Sequence, residues 1–346
     1  MSEETPHRRW NPLKEEWVLV SPHRGARPWR GAIEKVPPEK LPLYDASCQL
    51  CPRNKRGSGV KNPDYKGVFT FDNDFPALLE SKQRGEALLE LDGIVRTEPV
   101  TGACRVVCFS ERHDLTLAHM DASSVAAVLN KWSEQYIELG ARKDINHVMI
   151  FENKGEIMGC SNPHPHCQIW SSSSIPNIPL AGASAQRKYF AAHGRALLGD
   201  YLEWELKKKD RLIFDNGTWV AVVPYWAFWP YEAMLLPKKE ASCIKDLSSE
   251  ALNGWAEALR ELLVRYDNLF ECSFPYSMGL YQPPTDGGDW PGFTLHQIFF
   301  PPLLRSATVK KFMVGFELSA EPQRDITPEQ AAQKLRSMSK RRFDSR

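Results

Sequence analysis

The sequence predicts an α+β protein built twice from one unit: strand, strand, helix, strand, strand. Two amphipathic helical stretches, near 121–140 and 248–267, carry the clearest 3.6-residue periodicity in the chain. Short apolar runs rich in Val, Ile and aromatic residues lie in the same order around each of them. No low-complexity stretch or long linker separates the two copies. An internal duplication explains this order better than two unrelated domains. The halves are expected to divide at 1–176 and 177–346.

In the first half, residues 17–20 read as a short strand, following Arg9-Trp10-Asn11-Pro12-Leu13. Residues 68–72 are apolar and end in Asn73-Asp74-Phe75-Pro76, while 80–98 are charged and read as an irregular connection. A strand is expected over 104–109. The helix after it has Asp121 as N-cap, a stripe of Val125, Val128, Leu129, Trp132, Tyr136 and Leu139, and Gly140 at its end. Residues 147–151 form the next strand and lead to the histidine strand. In the second half, 218–223 and 233–236 read as a strand pair. A helix over 248–267 presents Leu252, Trp255, Leu259, Leu262, Leu263 and Tyr266. Strands at 276–281 and 293–300 follow. A last helix opens with Thr327 as N-cap, Pro328 at its first position and Gln330 completing a capping box.

The 346 residues allow one large or two ordinary domains, and the net charge of +1 gives no basic field for nucleic acid. No run is long and apolar enough to span a bilayer, and the polar start Met1-Ser2-Glu3-Glu4-Thr5 is not a signal peptide. Eight cysteines without close, regular spacing are no disulfide framework, so a reducing cytoplasm is the expected compartment.

The chemistry concentrates in Gly159-Cys160-Ser161-Asn162-Pro163-His164-Pro165-His166-Cys167-Gln168-Ile169-Trp170. In an extended segment His164 and His166 point to one face. The small, polar turn before them offers backbone N–H groups to an anion. Two imidazoles and the Gln168 amide beside such a turn point to phosphoryl chemistry. A metal pair or a polar strand edge is the plainer alternative. Cys48-Gln49-Leu50-Cys51 has half the spacing of a zinc site, with His113 a candidate third ligand and His164 a fourth; a redox pair is the rival. Arg24 and Arg27 are forked donors suited to phosphate. A neutral imidazole can attack phosphorus at pH 7 if its other ring nitrogen donates to a fixed acceptor, and a strand carbonyl would serve.

Over nearly its whole length the sequence resembles the galactose-1-phosphate uridylyltransferase family, a branch of the histidine-triad-like nucleotidyltransferases. The resemblance is carried by Arg9-Trp10-Asn11-Pro12-Leu13, Val20-Ser21-Pro22-His23-Arg24, Lys61-Asn62-Pro63-Asp64-Tyr65, Asn73-Asp74-Phe75, Phe151-Glu152-Asn153-Lys154-Gly155, the histidine segment, and 301–309. It implies two histidine-triad-like halves sharing one mostly antiparallel half-barrel sheet with flanking helices. It implies a ping-pong exchange in which His166 takes UMP from UDP-glucose, releases glucose 1-phosphate, and passes UMP to galactose 1-phosphate. Gln168 would bind a phosphoryl oxygen, with Gly159, Cys160 and Ser161 lining the phosphate site. Arg24, Arg27, Asn73, Asp74 and Phe75 match nucleotide-holding positions, and Asn153 matches one near the sugar phosphate. Lys311, Phe312, Val314, Glu317 and Gln323 match a segment that reaches the neighbouring subunit's site, which implies a homodimer. The structural zinc set carries over as Cys48, Cys51, His113 and His164.

Departures from the family pattern fall in the second half. A second metal, iron, held by some members, would need ligands at Gly182, Tyr281, His296 and Ile298; one of four survives, so no iron is expected. The loop at 280–290 and Phe316 also depart, and they bear on which hexose is used. The alternative functions are a related nucleotide-sugar uridylyltransferase or phosphorylase acting on a different hexose 1-phosphate.

Overall fold

A computed structural model describes residues 5–26, 41–80 and 87–345. Its strands before the first long helix are β1 (His7–Asn11), β2 (Glu16–Val20), β3 (Phe69–Asp72), β4 (Leu88–Glu90), β5 (Val95–Thr97) and β6 (Gly102–Cys108). Then come α1 (Ala122–Gly140), β7 (His147–Lys154), β8 (His166–Ser172), α2 (Asn177–His193) and α3 (Leu197–Lys208). The second half continues with β9 (Leu212–Asp215), β10 (Trp219–Val222), β11 (Ala233–Pro237), α4 (Ser249–Phe270), β12 (Tyr276–Tyr281) and β13 (His296–Phe300). The chain closes with α5 (Phe316–Ser319), β14 (Gln323–Arg324) and α6 (Pro328–Ser337).

Nine strands form one sheet in the order β3-β6-β8-β7-β12-β13-β11-β10-β9, and each neighbouring pair is antiparallel. The class is α+β, as the duplicated pattern predicts. The order β3-β6-β8-β7 in one half is matched by β10-β11-β13-β12 in the other. The halves join where β7 pairs with β12, Ile150 facing Leu280.

Helices α1 and α4 cover one face of this sheet. Asp121 accepts from Ser124 N at 2.7 Å and Ser248 from Ala251 N at 3.2 Å, so each helix starts at a side-chain cap. Their apolar stripes meet in one core that spans both halves. Trp132 of α1 packs edge-on to Trp255 of α4 at 6.1 Å, and Trp255 stacks on Trp219 of β10 at 4.9 Å. All three are fully buried. Burying rings of this size removes about 150–250 Å² each from water, roughly 4–6 kcal/mol apiece as an upper bound. Such a core ties the two halves into one packing unit.

The opposite face is covered differently in the two halves. Opposed residues on paired strands point to the same side. One row therefore runs Val106, Gln168, Phe151, Gly279, Ile298 and Met234 across the sheet. Over the second half this face is packed under α2 and α3, with Leu197, Leu198 and Leu202 against Val220, Val222, Met234 and Ile298. Over the first half it carries a small cluster of Cys48, Leu50, Cys51, Tyr65, Val106 and Cys108.

Several elements differ from the expectation. The 80–98 connection contains the β4–β5 hairpin, whose residues are exposed on both sides and so show no alternation in the sequence. Strands β1 and β9 and helices α2 and α3 lie outside the reading. Helix α2 buries only Ala183, Ala185 and Gln186, too little apolar surface to mark a stripe. The strand expected over 293–300 begins at His296. The histidine strand begins at His166, and His164 sits in a bend before it. Pro163 and Pro165 cannot donate to a ladder, which keeps this segment out of the sheet.

Candidate metal centre and phosphoryl site

Cys48, Cys51, His113 and His164 come together in a buried group whose ligand atoms all lie within 4.8 Å of one another. Cys51 Sγ is 3.6 Å from His113 Nδ1 and 3.5 Å from His164 Nδ1. Tetrahedral bonding with metal–S near 2.3 Å and metal–N near 2.1 Å predicts S···N edges of about 3.6 Å. The donor set and spacing thus fit a four-coordinate metal ion. The outer ring nitrogen of His164 donates to Ser110 O at 2.9 Å, with Tyr65 Oη 3.0 Å away, leaving Nδ1 free to bind a metal. Leu50 N donates to Cys48 Sγ at 3.3 Å. Burial pushes the Cys51 thiol up to about 12, so its thiolate needs a cation beside it. A closed shell of four protein ligands suits a structural ion.

The bend that sends His164 to this cluster is built locally. Asn162 Oδ1 accepts from His164 N at 3.0 Å, an Asx turn across Pro163. Gly159 takes φ +77, and its N–H donates to Glu156 O at 2.9 Å. Cys160 is half-buried with Sγ donating to Asn162 O at 3.1 Å, and Ser161 is exposed.

Two residues further on, His166 opens β8 on the uncovered face of the sheet. Its Nδ1 donates to the backbone carbonyl of His164 at 2.7 Å, which leaves Nε2 with its lone pair. Burial holds the ring below the usual imidazole range, and the carbonyl hydrogen bond only partly offsets it. A neutral imidazole with one fixed tautomer results. Gln168 lies on the same face, its Oε1 accepting from Trp170 Nε1 at 3.1 Å, so its amide N–H groups point away from that bond. On the other face Trp132 Nε1 donates to Cys167 Sγ at 3.1 Å. Cys167 is therefore packed against the helices, away from His166.

The remaining predicted positions fall into three places. Asn153, at the end of β7, accepts from Ser277 Oγ at 2.7 Å across the seam between the halves. Asp74 accepts from Ser58 Oγ at 2.8 Å and faces Arg56 at 3.7 Å; Asn73 accepts from Phe75 N at 2.9 Å, and the Phe75 ring is exposed. Arg24 Nε donates to Asp325 Oδ1 at 3.1 Å, and Gln323 Nε2 reaches the same oxygen at 2.7 Å. Arg27 lies outside the described residues. Lys311 pairs with Glu317, while Phe312 and Val314 are exposed. Lys311 and Asp325 line one small cavity, so this segment and the Arg24 cluster are neighbours.

Sequence reasoning missed the groups that hold these residues: Tyr65 and Ser110 on His164, Asn162 under the bend, and Trp170 on Gln168. The Asn-Pro-His run carried a signal for the third, because an asparagine two residues before a backbone donor favours an Asx turn. Tyr65 and Ser110 depend on contacts between distant segments, whereas Trp170 lies two residues from Gln168 in the same strand, where the period-two rule sets both on one face.

Comparison with known proteins bears on the whole chain. Residues 1–176 match the model of the galactose-1-phosphate uridyl transferase N-terminal domain, and 183–346 match that of its C-terminal domain. A galactose-1-phosphate uridylyltransferase of Haemophilus influenzae is 49% identical over 343 residues, covering 99% of this chain and 97% of that one. A probable galactose-1-phosphate uridylyltransferase of Drosophila melanogaster is 47% identical, covering 98% and 97%. A solved uridylyltransferase structure shares the fold, with a TM-score of 0.74, 24% identity, and 96% and 98% of the chains covered. With both halves matched and identity near one half over full length, the chain belongs to the galactose-1-phosphate uridylyltransferase family of nucleotidyltransferases.

Proposed function

We propose that this protein moves UMP from UDP-glucose to galactose 1-phosphate through a covalent intermediate on His166. The observation that supports this reading is the 2.7 Å hydrogen bond from His166 Nδ1 to His164 O, which leaves Nε2 with the lone pair that such an attack needs. In the first step Nε2 attacks the α-phosphorus of UDP-glucose. The N–P bond forms, the P–O bond to glucose 1-phosphate breaks, and the electron pair leaves on its phosphate oxygen. No proton need be removed from a neutral imidazole, and the Nδ1–H bond stabilises the charge that develops on the ring. In the second step a phosphate oxygen of galactose 1-phosphate attacks phosphorus, UDP-galactose forms, and His166 regains its lone pair. The Gln168 amide and the turn of Gly159, Cys160 and Ser161 supply donors to the non-bridging oxygens. In this reading Arg24, Asn73, Asp74 and Phe75 hold the nucleotide and Asn153 the sugar phosphate.

We assign the Cys48, Cys51, His113 and His164 group to a structural zinc ion. When bound, that ion neutralises the thiolates and fixes the His164 ring. Through the same residue's carbonyl, His164 orients His166. The exposed Phe312 and Val314, beside the Lys311–Glu317 pair, suit a contact with a second subunit, so we propose a homodimer with composite sites. All eight cysteines are free, which suits a reducing cytoplasm. Among the described residues no helix is long and apolar enough to cross a membrane.

The test is exchange of labelled glucose 1-phosphate into UDP-glucose with no galactose 1-phosphate present. A ping-pong enzyme exchanges, and the protein becomes labelled by UDP-glucose carrying label in its uridine, in an acid-labile form. Absence of both would sink the covalent route. A panel of hexose 1-phosphates then fixes the acceptor, and phosphate in their place tests for phosphorolysis.

A further inference from the structure

The last residues of the chain fold back onto the end of α4. Asn268 Nδ2 donates to Ser339 O at 2.8 Å and to Arg341 O at 2.9 Å. Arg265 Nη1 donates to the carbonyls of Leu335, Arg336 and Met338 at 3.0, 2.8 and 2.9 Å. This course delivers Arg342 to Asp267, in the last turn of α4. Arg342 Nε donates to Asp267 Oδ2 at 2.7 Å, and the outer end of the guanidinium pairs with Asp344. The other carboxylate oxygen, Oδ1, accepts from Phe274 N at 2.8 Å and from Lys154 Nζ at 3.3 Å. Lys154 Nζ also donates to Phe274 O at 3.0 Å. The side chains of Lys154, Asp267 and Arg342 are 10%, 1% and 8% exposed, so solvent screens these pairs little and breaking one leaves a buried charge uncompensated.

Asp267 thereby fastens two neighbouring strands at one point, the end of β7 through Lys154 and the entry to β12 through Phe274. Between them Pro275 lies against Gly155. A Cβ at Gly155 would come within 2.9 Å of Pro275 Cβ, and its φ is +89, so the position requires glycine. Gly155 O accepts from Met158 N at 2.9 Å and from Cys160 N at 3.4 Å. The turn that leads to Cys160 and Ser161 thus hangs from the residue next to Lys154. Asn153, on the other face of β7, is bonded to Ser277 in the same pair of strands.

We propose that Arg342 is a positioning residue for the phosphate site: through Asp267 and Lys154, the C-terminal tail sets the 155–160 turn. The assignment rests on the reading of that turn and of Asn153 as the groups that hold the phosphates. Without Arg342, Asp267 Oδ2 is a buried anionic oxygen that has lost its donor. The carboxylate then draws on Lys154, the Lys154 bond to Phe274 O weakens, and Gly155 loses its backing.

Hydrogen exchange in the intact protein reads the turn directly, whatever reaction it serves. In Arg342→Gln the amides of Met158, Gly159 and Cys160 should speed up at least about tenfold more than those of α1, which report global unfolding. Arg342→Lys keeps a cation for Oδ2 and should leave these amides within about threefold of wild type. Should Arg342→Gln fail to fold, Asp344→Asn loosens only the outer end of Arg342 and should speed the same amides about threefold. In turnover Arg342→Gln should lower kcat at least about fivefold and hold KM for UDP-glucose within about twofold, as misplaced donors to the transition state would. Unmoved turn amides, a rise shared equally by α1, equal effects of Gln and Lys, or faster amides with kcat unchanged would each overturn the assignment. A wild type without uridylyl exchange breaks the functional reading instead, and the amide rates then decide by themselves whether the tail holds the turn.

Discussion

Strands β8 and β13 are the same element in two copies, and each opens with a histidine on the same face of the sheet. His166 donates from Nδ1 to the carbonyl two residues back at 2.7 Å; His296 does so at 2.8 Å. The tautomer lock is therefore a property of the repeated fold. What differs is the surroundings. His166 is half-buried on a face that α2 and α3 leave open, with Gln168 two residues on. His296 is buried beneath Tyr281 and Phe293, with Ile298 in the corresponding place. A fixed imidazole is not enough for phosphoryl transfer; it must also face the substrate and have donors for the phosphate oxygens.

The largest expected difference between the copies is in turnover. If His166 is the nucleophile as proposed, His166→Gly should lower kcat by at least about 10³-fold, because the attacking atom is removed. His296→Asn, which keeps a donor toward Thr294 O, should leave kcat within a few-fold. Steady-state exchange of UDP-glucose with glucose 1-phosphate measures both. Equal losses in the two variants would mean that the copies share the chemistry.

The second difference is the metal group, present in the first copy only among the described residues. Cys51→Ala, or removal of the ion by a chelator, should lower Tm by on the order of 10 °C, since bound metal contributes directly to folding. Metal analysis of the purified protein should find one zinc per chain. Activity should fall in step, because the His164 carbonyl that orients His166 loses its anchor. A Tm unmoved by complete metal removal would reduce the cluster to packed thiols and imidazoles.

Much of this contrast was legible in the sequence. The spacing Cys48-x-x-Cys51 and the pair His164 and His166 named the chemistry, and α1 and α4 announced themselves by caps and stripes. The division of labour between the histidines was hidden in a local reading. It depends on Pro163, Pro165 and the Asn162 turn holding His164 out of the strand, whereas an i, i+2 rule places both on one face. The covering of the second half was hidden too. Helix α2 packs through Ala183, Ala185 and Gln186, and small or polar contacts leave no hydrophobic period.

A third difference lies in acid stability. Burial pushes His296 down to about 4 from an ordinary value of 6.5. A histidine depressed in the folded state stabilises fully above its unfolded pKa, and that contribution is lost as pH falls from 6.5 through 4. The depression corresponds to about 3 kcal/mol over that window. Urea unfolding of wild type and His296→Asn at pH 7.5 and 4.5 should show a shallower decline in the variant. His147 and His164, also pushed to about 4, are common to both proteins and subtract out, as do Glu232 and Lys14, which line one cavity with His296. Parallel declines would mean that His296 is more hydrated than its burial implies.

The smallest expected effect sharpens the role of the third residue in the strand. Gln168 Oε1 is held by Trp170 Nε1 at 3.1 Å, an i, i+2 contact on the open face of β8. That bond leaves the amide N–H groups for the phosphoryl oxygens in the proposed mechanism. Trp170→Phe keeps the ring that packs edge-on to Phe151 at 5.4 Å and removes only the donor. The freed amide can then rotate, and about half of its orientations place oxygen toward the phosphate. Loss of one neutral hydrogen bond corresponds to about 1 kcal/mol, so kcat should fall roughly 3–10-fold. KM for UDP-glucose should change less, because the bond matters most when negative charge builds on the phosphoryl oxygens. A rise in KM with kcat unchanged would instead assign Gln168 to ground-state binding. In that event the distinction between β8 and β13 would rest on the exposure of His166 alone.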